Sequence, residues 1–162
     1  MFCALALFVD CAAAQPLKIG YIDTFRIENE SVQALKAMEG LKKEFQPRQK
    51  RVEDLQKEIA AARDQLAKEG ARSTPAEQRA RERTLAAMIS RSDQERRALT
   101  EDLELRKNQE RAKIIEETNI VIKSLAEAGK YDLIVQQAIF SSRAIDMTDR
   151  VLKALAKRAA AR

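Results

Sequence analysis

The groups in this 162-residue chain best equipped for chemistry are three carboxylate pairs and two cysteines: Glu53 with Asp54, Glu101 with Asp102, Glu116 with Glu117, and Cys3 and Cys11. Adjacent residues on a helix point about 100° apart, so no pair can converge on one substrate proton as general acid and base must. Lysines and arginines are interspersed with all three, which makes them ordinary surface ion pairs. Histidine is absent, and with it the commonest general base, the usual metal ligand and the one side chain that titrates unaided near neutrality. The four glycines, 20, 40, 70 and 129, are scattered and form no phosphate-cradling loop. The sequence therefore offers no catalytic residue, no metal ligand set and no cofactor site.

The basic excess carries more. The net charge is +5, and the stretch 42–113 alone holds 19 basic and 14 acidic residues among its 72 positions. Near a turn at 70–75, the bases Arg63, Lys68, Arg72, Arg79, Arg81 and Arg83 outnumber their acidic neighbours. Such a cluster is in many proteins just the solvated face of a coiled coil. Its sharper reading is an electrostatic contact for acidic partners, either negatively charged polypeptides or anionic lipid. Nucleic acid is not expected, because no aromatic is interleaved with the bases and no nucleic-acid motif occurs.

The elements that position these residues follow from pattern. Charged residues make up 34% of the chain and aromatics 4%, and 27 residues are alanine, which favours helix without filling a core. Residues 2–9 are apolar and lead to Ala12-Ala13-Ala14, a signal peptide over 1–14 with cleavage near Ala14, although no basic residue precedes it and Asp10 interrupts it. Cleavage would remove both cysteines and leave a chain of charge +6, with no disulfide. Residues 17–23 alternate as a short strand, and 24–128 read as helix almost throughout. Thr74, Pro75 and Glu77 form a capping box with proline at the first helical position, so the helices on either side of the turn fold back on each other.

Met38, Leu41, Phe45, Arg48, Val52, Leu55, Ile59, Ala62 and Leu66 make a heptad seam with one polar slip at Arg48. The seam continues more weakly through Leu85, Met88, Ser92, Glu95 and Leu99, and residues 102–113 are nearly all polar. A kink is expected near 40–47, from Gly40 and Pro47. Gly129 is expected to end the long helix as its left-handed cap. Tyr131–Gln136 should form a strand with Ala138–Ser141 as its hairpin partner, and Asp146 or Thr148 should cap a last helix. Three short strands per chain cannot stabilise a body alone, so the chain is expected to self-associate through Ile19, Tyr21, Leu133, Val135 and Ile139.

The run LKIGYIDTFRI, the charged helical hairpin, then KYDLIVQQAIFSS and RAIDMTDRVLKAL resemble the Skp/OmpH family of periplasmic chaperones over about residues 17–157. The resemblance implies a mainly α fold with a small β body: a long antiparallel coiled-coil arm (31–128, tip at 70–75) projecting from a trimeric barrel-like body (15–30 and 129–162). It further implies an ATP-independent holdase in the Gram-negative periplasm, with no cofactor and no enzymatic activity. Such a homotrimer binds unfolded outer-membrane β-barrel proteins and delivers them for insertion, and relatives are linked to lipopolysaccharide. The competing reading is a structural coiled-coil envelope protein without clients.

Overall fold

Strand β1 (Ile19–Ile22) buries every second residue, Gly20 and Ile22, as its alternation predicts. The computed structural model describes residues 16–69 and 72–161. Expectations for the signal segment, for Cys3 and Cys11, and for Gly70 and Ala71 in the turn fall outside the described residues. After β1, Asp23 caps the short helix α1 (Thr24–Glu30) by accepting a hydrogen bond from the Arg26 N–H at 3.0 Å. Ser31 then breaks the helix, and its hydroxyl accepts from the Ala34 N–H at 3.2 Å to start α2 (Val32–Glu69).

Helix α2 runs through Gly40 and Pro47 without interruption, so the expected kink does not break it. Tertiary packing on α3 (Pro75–Gly129) holds the helix despite the hydrogen bond that proline removes. The capping box at the start of α3 is present in full. The Glu77 N–H donates to the Thr74 hydroxyl, and the Glu77 carboxylate accepts from the Thr74 N–H at 2.9 Å. At 1.5 Å per residue, the 55 residues of α3 extend roughly 80 Å.

The end of α3 differs from expectation. Gly129 is still helical, and Lys130 takes the left-handed position, with φ 51° and ψ 50°. Glycine is required at 129 for space instead: a Cβ there would stand 2.6 Å from the Tyr131 ring. The expected hairpin is also absent. Strand β2 (Leu133–Gln136) pairs in parallel with β1, placing Ile19 beside Leu133 and Tyr21 beside Val135. A parallel pair needs a long crossover, and here the whole helical arm is that crossover. Gln137 turns the chain with φ 60°, and Ala138–Ser141, including Ile139, forms no strand. Instead Asp146 bridges to Tyr21: the Tyr21 N–H donates to the Ile145 carbonyl at 2.8 Å, and the Met147 N–H to the Tyr21 carbonyl at 2.9 Å.

The cap of the closing helix α4 (Thr148–Ala160) is Met147, which offers no capping side chain, and not Asp146 or Thr148 as expected; the Asp146 carboxylate accepts from the Thr148 N–H at 2.8 Å. A small core forms where body and arm base meet, from Ile22, Ile27, Val121, Met147, Val151 and Leu155. It lies on one face of the two-stranded sheet. The other face carries Ile19, Tyr21, Leu133 and Val135, of which Ile19, Tyr21 and Val135 are half-buried and Leu133 is exposed.

Candidate functional site: an apolar groove at the arm base and a basic tip

Along the arm, Phe45, Val52 and Ile59 are buried from α2 and Ser92 from α3, so the heptad seam is real where both helices offer small or apolar residues. The polar slip at Arg48 is used: its guanidinium reaches Asp102 across the hairpin at 2.6 Å and stacks over Phe45 at 5.8 Å. Glu44 and Arg106 make a second bridge between the helices at 3.3 Å. These ion pairs are exposed, and each contributes only about 0.2–1 kcal/mol.

Where α3 enters its polar stretch, the seam fails. There the polar residues Lys107, Glu110 and Arg111 border the space beside Leu41 and Phe45 and leave it open. The result is a groove of about 760 Å³ at the arm base, floored by Ala34, Met38, Leu41, Phe45, Leu103 and Ile114. Met38, on its floor, is 63% exposed. Scattered apolar residues on a surface are normal, but a contiguous open groove of this kind marks an interaction site. Its rim carries both signs of charge, with Arg111 paired to Glu28 at 2.9 Å and Lys107 to Glu104 at 2.8 Å. Sequence reasoning missed this groove. The signal was available: an apolar seam on α2 facing the polar run 102–113 on α3.

At the far end of the arm, Arg63, Lys68, Arg72, Arg79, Arg81 and Arg83 are all exposed. Only Arg81 is held in an ion pair, with Glu69 across the turn, and this pairing keeps the Glu69 carboxyl below its ordinary range. The other five have no acidic partner among the described residues and project charge into solvent. Tip and groove lie at opposite ends of the arm, so the chain has two separate surfaces rather than one site. Of the expected self-association residues, Ile19, Tyr21, Leu133 and Val135 share one face of the two-stranded sheet. Ile139 stands fully exposed in the following segment. Among the described residues no cluster of acids could hold a metal ion, and no helix is long and apolar enough to cross a membrane.

The family model described as outer membrane protein (OmpH-like) matches residues 18–155. This chain belongs to the OmpH-like family. A crystal structure of a candidate OmpH-like outer membrane chaperone from Caulobacter crescentus is similar in fold. Its TM-score is 0.75 at 16% identity, over 90% of this chain and 88% of that one. No curated protein matches the chain significantly. The shared OmpH-like fold covers both body and arm, so the groove lies within the family architecture.

Proposed function

We propose that the protein is an ATP-independent holdase of the Gram-negative periplasm, reached after signal cleavage near Ala14. In this reading it binds unfolded outer-membrane β-barrel proteins, prevents their aggregation and delivers them for insertion. The observation that carries this is the open apolar groove at the arm base of an OmpH-like chain. An unfolded barrel strand alternates apolar and polar side chains. Such a strand fits a surface with an apolar floor and a mixed-charge rim, and many weak contacts of this kind hold a client without a shaped pocket. The role needs neither an acid/base centre nor a nucleotide.

The reading includes a homotrimer, in which three bodies (15–30 and 129–162) join through the sheet face and three arms (31–128) enclose a cavity. The basic tips would then draw acidic clients toward that cavity, with anionic lipid or lipopolysaccharide as a competing ligand of the same charge. The test is aggregation of an unfolded outer-membrane β-barrel protein at a threefold molar excess of chain, with no nucleotide added. Suppression is expected, and it should weaken in the Met38→Glu variant, which places a charge on the groove floor. Aggregation that proceeds unchanged with the native chain overturns the reading in favour of a structural coiled coil without clients.

A further inference from the structure

The sequence holds four methionines, and three of them, Met38, Met88 and Met147, lie among the described residues, where no cysteine stands. A thioether is then the softest nucleophile that the described residues offer an oxidant, and an oxidant reacts with the sulfur it can reach. The three differ widely in reach. Met147 is 1% exposed in the body core, Met88 is half-buried in the arm, and Met38 is open to solvent on the floor of the groove.

Met38 also stands where a change of polarity matters most. It shares the floor with Ala34, Leu41, Phe45, Leu103 and Ile114, none of which has a polar side chain. Lys42, one helical turn further on, lines the same groove and makes no ion pair among the described residues. An oxygen added to the Met38 sulfur is a strong acceptor, with the Lys42 ammonium or water as its donor. An apolar side chain entering the groove has to strip that oxygen of its partner, which is costly.

We propose that Met38 is a modification site, at which oxidation by a peroxide closes the groove to clients. A lone pair of the thioether sulfur attacks one peroxide oxygen, and the S–O bond forms as the O–O bond breaks. The attacked oxygen gives its proton to the departing hydroxide, which leaves as water. Sulfur loses two electrons and the peroxide gains them. The sulfoxide is reducible by methionine sulfoxide reductases, so the groove reopens when the oxygen is removed. The inference rests on the holdase reading above and names a regulation of that same groove.

The test treats the full chain, with Cys3→Ser and Cys11→Ser, with graded hydrogen peroxide, then quenches with free methionine and desalts before any client is added. Peptide mass mapping should show one added oxygen at Met38 before Met88 or Met147. The chain concentration that half-suppresses aggregation of an unfolded outer-membrane β-barrel protein should rise about fivefold to tenfold. Helical content should stay unchanged, and a methionine sulfoxide reductase with a dithiol should restore the original value. Met38→Leu, compared with itself before and after peroxide, should not respond, while Met88→Leu should respond as the native chain does. Oxidation of Met88 or Met147 first, suppression unchanged by oxidation of Met38, or a Met38→Leu chain that still responds each overturn the proposal and leave the holdase reading standing. A chain that suppresses nothing before peroxide is added overturns the holdase reading and this regulation with it.

Discussion

Met147 shows how much a single side chain does in so small a core. It is 1% exposed and touches the position of Gly20 so closely that a Cβ there would lie 2.7 Å from its sulfur. Its neighbour Thr148, also buried, accepts a hydrogen bond from the Asp23 N–H at 2.9 Å and so ties α4 to the start of α1. Met147→Ala should cost about 2–5 kcal/mol, read as a lower urea midpoint at fixed chain concentration. A loss under 1 kcal/mol would show that the core repacks. At the tip, hydrogen bonds from the Thr74 backbone and hydroxyl hold the Glu77 carboxyl below its ordinary value of 4.5, and Arg81 does the same for Glu69. Both carboxyls bind protons more weakly folded than unfolded, so the stability they lend is present above about pH 4.5 and lost as the pH falls below it. Protection factors of the amides at the start of α3, taken relative to the intrinsic rate at each pH, should therefore fall on acidification below that value. Glu77→Gln should flatten the dependence, and a profile identical to the native one would contradict the assignment.

Among the elements, legibility in the sequence followed locality. The capping box of α3 uses residues three apart, and the seam of α2 repeats within one helix, so both could be read directly. The partner of β2 could not. Ala138–Ser141 has the right composition for a hairpin, but β1, more than a hundred residues earlier, takes the edge, and only the return of the arm decides that. The groove is non-local in the same way: neither Phe45 nor Leu103 signals it alone, and it exists because α2 and α3 bring the two to one cavity. Gly40 and Pro47 led to the expectation of a kink near 40–47, and α2 continues through both. Pro47→Ala should therefore raise arm stability by up to about 3 kcal/mol. Protection from exchange around residues 43–50 measures this, and an unchanged or reduced protection would mean that the proline suits the helix as it stands.

For the whole molecule, the charge pattern and the exposed apolar surfaces point the same way. High charge and abundant alanine keep long arms in solution, and the few large apolar residues that remain exposed gather at the arm base and on the body. If the unpaired bases at the tip steer acidic clients, the association rate should fall several-fold between low salt and about 0.15 M, where the screening length shortens to about 8 Å. A salt-independent rate would remove the tip from the account. The proposed role is capture of an unfolded barrel protein by three chains acting together. Native mass measurement of the chain mixed with an unfolded outer-membrane protein addresses it most directly. One client bound to three copies is expected, with no nucleotide present. Free client beside uncomplexed chain would contradict it.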